Sequence, residues 1–241
     1  MLPPQFERYG YGVLGIVVGL VIVWLFCKQT REKPAAVGLQ WGSRTIKNFF
    51  TGFLFGLVLS AAALWIVIQV NGLSIVTITG GNAGEFLMWG MALLLLSLME
   101  EIGFRSFAFV HLKNNWGIWP AQVVIAILFA LYHVAGGQSV LTSFLGPGTW
   151  AFVFGWAVLY SGGIAMATGI HFAANLLQAA IGQKSGYAAL WRIELPGTMD
   201  ASLQQQIDTT GLLVQLGILL VGITLTMIVS RKKSDGYRKQ S

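Results

Sequence analysis

Leu93-Leu94-Leu95-Leu96-Ser97-Leu98-Met99-Glu100-Glu101-Ile102-Gly103-Phe104-Arg105 sets three charged side chains inside a long apolar run, near 86–110. A bilayer core about 30 Å thick takes roughly 20 apolar residues as helix, because lipid offers no partner to unpaired backbone groups. Comparable runs lie near 10–27, 47–70, 117–135, 150–160, 162–182 and 211–230. They predict an all-α fold, a polytopic transmembrane helix bundle of about seven spans (six to eight). The range reflects the short run 150–160, followed by Ser161-Gly162-Gly163, which reads as a tight turn or as a kink. Residues 1–241 are expected to form a single integral membrane domain, with no internal repeat. The first run, Tyr11 to Cys27, is expected to be a retained span and not a cleaved signal, since no small-residue cleavage site follows it directly.

Composition supports the same class. The chain is 55% hydrophobic and only 10% charged, with a mean hydropathy of +0.69, whereas a soluble domain carries about 25% charged residues. Too few charges remain to solvate a water-facing surface, so most of the outside must face lipid. The net charge of +6 does not point to nucleic acid, because the basic residues fall in short connectors and the tail. Lys28, Arg31, Lys33, Arg44 and Lys47 follow the first run; Arg231, Lys232, Lys233, Arg238 and Lys239 follow the last; the stretches 71–84 and 136–149 hold none. The positive-inside rule then predicts an outside N-terminus and a cytoplasmic C-terminus. Trp24, Trp65, Trp89, Trp116, Trp119 and Trp150 sit near run ends, as an interfacial belt would. Gly15/Gly19 and Gly52/Gly56 are spaced for close helix packing. The single cysteine, Cys27, excludes a disulfide framework and a cysteine-rich metal site.

Charge within the bilayer costs roughly 2.5–3.5 kcal/mol per residue on insertion scales, so Glu100, Glu101 and Arg105 should face a polar interior. Glu101 and Arg105 are four apart on one helical face, acid first, the better order for an ion pair. Glu100 is rotated roughly 100° away. The spacing divides the labour: Glu101 neutralised by Arg105, Glu100 left for chemistry. The plainer reading is a buried network that only locks helices together. Two histidines favour chemistry: His133 in Phe129-Ala130-Leu131-Tyr132-His133, and His171 with Asn175 one turn further on. Each is read as lying near the middle of its run, so that the groups can meet at one depth. His111, beside Lys113, is read as interfacial and inert. The connector 183–210 is expected to be a solvated loop or partial lid.

Other hydrolytic chemistries lack their residues. No histidine is followed by glutamate, as an HExxH zinc site requires. No serine has a Gly-x-Ser-x-Gly setting. The aspartates Asp200, Asp208 and Asp235 lie outside the apolar runs. A glutamate with histidines remains: a desolvated carboxylate can take a proton from water, and imidazole can relay it. A second histidine and an amide can donate to a developing oxyanion.

In order, Glu100-Glu101-x-x-x-Arg105, Phe129-x-x-x-His133 and His171-x-x-x-Asn175 resemble the three signatures of the CAAX protease and bacteriocin-processing family. That family includes the eukaryotic Ras-converting enzyme and bacterial relatives described as abortive-infection proteins. The likeness covers about 85–182, with 1–84 and 183–241 as flanking spans, connectors and basic tail. It implies an intramembrane glutamate-type endopeptidase acting on a peptide or membrane-protein substrate. By resemblance, Glu100 is the base with His133 assisting, His171 and Asn175 hold the oxyanion, and Glu101, Arg105 and Phe129 support the site. No metal is implied as cofactor; zinc on the two histidines and the glutamate is the alternative. Two other functions stay open: a non-catalytic scaffold or immunity protein of the same family, and a small proton-coupled transporter. The absence of a visible inverted repeat weighs against the transporter.

Overall fold

The structure is a computed structural model describing residues 4–184 and 186–238, with side chains described for 6–184 and 186–232. The side chains of Lys233, Asp235, Arg238 and Lys239 therefore lie outside the described set. The helices are α1 Pro4–Thr30, α2 Ser43–Asn71, α3 Ala83–Arg105, α4 Phe107–Trp116, α5 Ile118–Ala135, α6 Val140–Ser143, α7 Thr149–Ser161, α8 Ile164–Ala180 and α9 Ala201–Arg238. Two short strands, β1 Ser74–Thr77 and β2 Trp191–Glu194, a 3-10 turn at Pro34–Val37 and a π-helical turn at Phe144–Gly148 complete the described elements. The protein is an all-α membrane bundle. Among the described residues, five helices or helix pairs are long and apolar enough to cross a bilayer: α1, α2, α3 with α4, α5 and α9. Each of the seven apolar runs is helical, but the fifth and sixth are shorter. A π-helical turn, Phe144–Gly148 around Pro147, joins α6 to α7 in one continuous helical stretch; proline has no N–H to give an ordinary i to i−4 bond. The Ser161-Gly162-Gly163 segment is a turn, because Gly162 takes the left-handed conformation (φ 79°) that ends a helix.

Two connectors meet on each side of the bundle. β1 and β2 pair antiparallel, Ser74 opposite Glu194 and Thr77 opposite Trp191. This sheet ties the α2–α3 connector to the α8–α9 connector. On the far side, the amide of Ile164 donates to the Gly38 carbonyl at 3.1 Å and the Gln40 side chain to the Gly162 carbonyl at 2.6 Å. The basic α1–α2 connector thus lies beside the α7–α8 turn. α9 starts near the sheet, where Gln206 donates to the Val70 carbonyl at 2.9 Å. It runs toward the start of α5, where Gln122 donates to Thr226 at 2.8 Å, so its basic end heads for the side of the basic connector.

Small residues set the helix spacing, as their pattern predicts. A Cβ on Gly52 or Gly56 of α2 would strike the α8 backbone at Met166 or Ile170, within 2.1 and 2.7 Å. Gly169 of α8 meets Phe49 in the same way at 2.1 Å, so the two backbones touch. Gly15 and Gly19 of α1 similarly seat the side chains of Met99 and Ile102 of α3.

Several expectations are corrected. The third run does not continue unbroken to residue 110: Ser106 leaves helical geometry (φ −82°, ψ −112°), its hydroxyl folds back to the Ile102 carbonyl, and α4 starts afresh. Trp89 and Trp150 are buried, unlike Trp24, Trp65, Trp116 and Trp119, so they are core residues and not part of an interfacial belt. The segment 183–210 is not simply a loop, since β2 and the first turns of α9 fall within it and Asp208 is helical. His133 is two residues from the end of α5 and not near its middle.

Candidate active site

α3, α5 and α8 bring their polar residues together. Glu101 is fully buried, with one carboxylate oxygen 3.6 Å from Arg105 Nε and the other 2.8 Å from His171 Nδ1. Glu100, one residue earlier, turns Oε2 to the other side, 3.5 Å from His171 Nε2 and 4.0 Å from His133 Nε2. Asn175, one turn beyond His171, donates to Ser97 Oγ of α3 at 3.1 Å. The seven residues singled out by sequence therefore meet in one cluster.

The hydrogen bonds fix the imidazole tautomers. His171 Nδ1 faces a carboxylate, and His133 Nδ1 faces the Phe129 carbonyl at 2.9 Å. Both partners can only accept, so each Nδ1 carries the proton. Both neutral rings then turn an Nε2 lone pair toward Glu100 Oε2, which has no hydrogen-bond partner among the described residues. Three lone pairs facing one another repel unless a proton lies between them.

Arg105 makes the opposite kind of environment. It is fully buried, and none of its three nitrogens has a hydrogen-bond partner among the described residues. Its guanidinium carbon sits 4.0 Å from the ring centre of Phe129, 5.1 Å from Phe154 and 5.7 Å from Phe104. Glu101 neutralises it and aromatic faces cover it. Phe129 also packs edge-on to both histidines, at 4.7 and 5.9 Å. Phe154 of α7 stacks on His171 at 4.7 Å. These rings fix the imidazole planes as the hydrogen bonds fix their tautomers.

A cavity of about 210 Å³ opens beside the cluster, bordered by His133, His171, Asn175, Gln138, Gln178 and Lys184. Lys184 comes from the connector expected to be solvated. Partial burial of its ammonium pushes its pKa down, Glu100 pulls it back up, and Arg8 adds to the lowering. Lys184, Phe154 and Ser97 were not among the sequence-derived site residues. A cation isolated in a polar connector and a serine or phenylalanine within an apolar helix carry no spacing that marks them. His111 stacks on Phe107 at 5.1 Å, apart from this cluster. A zinc site would need at least three protein ligands around one point; Glu100, His133 and His171 approach one another, but as placed no group of three His, Cys, Asp or Glu side chains among the described residues could hold a metal ion.

The three site helices coincide with a recognised segment. Residues 82–177 match the family model described as type II CAAX prenyl endopeptidase Rce1-like. Comparison with curated proteins gives no match. The matched segment starts at Asn82, whose side chain caps α3 by accepting from the amides of Gly84 and Glu85, and it ends two residues after Asn175. Residues 82–177, about two-fifths of the chain, are thus similar to the Rce1-like family of type II CAAX prenyl endopeptidases.

Proposed function

We propose that the protein is an intramembrane endopeptidase that hydrolyses a peptide bond with water activated by Glu100 and His133. The observation carrying this reading is the approach of Glu100 Oε2 to both Nε2 atoms, at 3.5 and 4.0 Å, beside a cavity with polar walls. A water molecule in that gap is within hydrogen-bond reach of acid and imidazole together. It attacks the scissile carbonyl carbon and gives its proton to the Glu100–His133 pair. The carbonyl oxygen becomes an oxyanion, met by an additional proton that the cluster holds on His171 Nε2 throughout the cycle, making that ring cationic, and by the second amide hydrogen of Asn175. Glu101, bonded to Nδ1, holds the His171 ring and stabilises its protonated form, as a carboxylate does behind a catalytic histidine. When the C–N bond breaks, the leaving amine takes the proton held by Glu100 and His133, and the site returns to its starting state.

No metal takes part in this scheme, so extraction with a strong chelator leaves the rate unchanged. Loss of the rate on chelation with recovery on adding Zn²⁺ would contradict it. The basic connector and the basic end of α9 are assigned to the cytoplasmic side of a prokaryotic cell membrane, with the sheet and the cavity mouth near Gln138 outside. Cysteine accessibility at introduced Lys33→Cys and Gln138→Cys tests that assignment. The function itself is tested by incubating purified protein in detergent with a quenched-fluorescence peptide library. The unaltered protein cuts members of the library and His133→Ala does not. Full cellular function retained by Glu100→Gln, with a partner copurifying, would replace the enzyme by a scaffold or immunity protein.

A further inference from the structure

The catalytic cavity is the last of three adjoining spaces. It shares Trp150, Ala174, Gln178 and Gln215 with a chamber of about 350 Å³ between α2, α8 and α9. That chamber shares Ala63, Val214 and Ile218 with a groove of about 400 Å³ along the seam between α2 and α9. The walls change along the way. The groove is almost wholly apolar, and its rim residues Ile66, Val70 and Leu213 are exposed on the lipid side. The chamber adds Ser60, Gln178, Gln215 and Asp208. Ser60 is nine-tenths buried, and its hydroxyl oxygen has no hydrogen-bond partner among the described residues. Gln215 spends its carbonyl on Thr149 at 3.1 Å, leaving its amide hydrogens for another acceptor. Two glycines of α9, Gly211 on the chamber and Gly217 on the groove, have nothing within 4 Å of where a Cβ would stand. The seam is open there, although Gln206 and Val70 tie its sheet-side end together.

From this we infer that a membrane-embedded peptide segment enters sideways between α2 and α9 and reaches Glu100 as an extended chain. Lipid tails need only the apolar groove and make no use of an unpartnered hydroxyl or of amide hydrogens in the chamber. A peptide does. A helix hides its scissile bond among its own hydrogen bonds, and unwinding it inside a bilayer leaves N–H and C=O groups that cost several kcal/mol each if unpaired. Ser60, Gln178 and Gln215 stand where the unwound backbone would need them. This route deepens the peptidase reading and rests on it.

The test uses two probes in the same proteoliposomes: a short soluble peptide found to be cut, and the same sequence fused to a single transmembrane segment. The soluble peptide can reach the cavity by its mouth beside Gln138 and Lys184, whereas the fused one must pass the seam. In a Cys27→Ala background, Ala63→Cys with Val214→Cys places thiols on both sides of the seam. Oxidation to the disulfide, checked by gel mobility, is expected to slow cleavage of the fused probe at least about tenfold and of the soluble one no more than about twofold, with reductant restoring both. Gly217→Trp, filling the groove without oxidation, is expected to give the same split. Equal cleavage of both probes with the disulfide formed overturns the route and leaves the seam a lipid-filled surface. Equal loss of both overturns it as well, because the clamp then acts on the site and not on entry. If the unaltered protein cuts neither probe, the peptidase reading falls, and the route with it.

Discussion

Glu100 and Glu101 are neighbours in sequence, yet they stand in two different solvents. On the Glu101 side everything is dry: the carboxylate is fully buried, bonded to His171 and paired with an arginine covered by three phenylalanine rings. On the Glu100 side the carboxylate keeps some exposure, has an oxygen with no hydrogen-bond partner among the described residues, and faces two imidazole lone pairs. A turn of roughly 100° along one helix separates the two environments. On the proposed reading, the dry side holds geometry and the wet side supplies the carboxylate that moves a proton. His171 joins them, with Nδ1 on the dry carboxylate and Nε2 on the wet one.

Substitution can break this contrast from either side. The largest effect is expected from Glu100→Gln, which keeps the shape and removes the base: turnover falls by about 10³-fold or more, while the melting temperature in detergent stays as before. Next comes Arg105→Ala on the dry side, where removing one partner of a buried pair costs about 3–5 kcal/mol of stability, read as a lower midpoint in thermal or denaturant unfolding. The double change Glu101→Gln with Arg105→Met, which removes the orphaned charge, is expected to regain part of that loss. Glu101→Gln alone keeps an acceptor for His171 but withdraws the charge that stabilises its protonated ring, so kcat is expected to fall about 10²-fold with little change in KM. The smallest effect belongs to Ser97→Ala, which frees Asn175 from α3 and costs about 1 kcal/mol, seen as a several-fold loss of rate at unchanged stability. A ranking in which Glu101→Gln exceeded Glu100→Gln in rate loss would reverse the assignment of the two carboxylates.

Much of this was legible in the sequence, and for identifiable reasons. Apolar runs of bilayer length admit no alternative to helix, so the bundle followed from hydropathy. Helix periodicity alone puts Glu101 with Arg105, and Gly52 with Gly56, on one face of their helices, though it does not name α8 as the glycines' partner. What periodicity does not carry is tertiary choice. Glu101 bonding to His171, 70 residues away, needs α3 and α8 placed side by side. The aromatic cover on Arg105 draws on α3, α5 and α7, and no local spacing reports it. Trp89 and Trp150 looked interfacial because they sit near run ends, but neighbouring elements cover them, Trp89 lying against Tyr187 at 4.7 Å. Lys184 read as a solvated loop residue because its connector is polar, and only the fold of that connector over the cavity brings it to the site.

The central claim, that Glu100 and His133 act together on one water molecule, is tested most directly by a double-mutant cycle. Initial cleavage rates of one peptide are measured for the unaltered protein, Glu100→Gln, His133→Ala and the double variant, all shown to be folded. Groups that act as a unit give strongly non-additive losses, so the double variant is expected to be no slower than the worse single one. Losses that multiply, or a Glu100→Gln variant that cuts at the unaltered rate, would contradict the account.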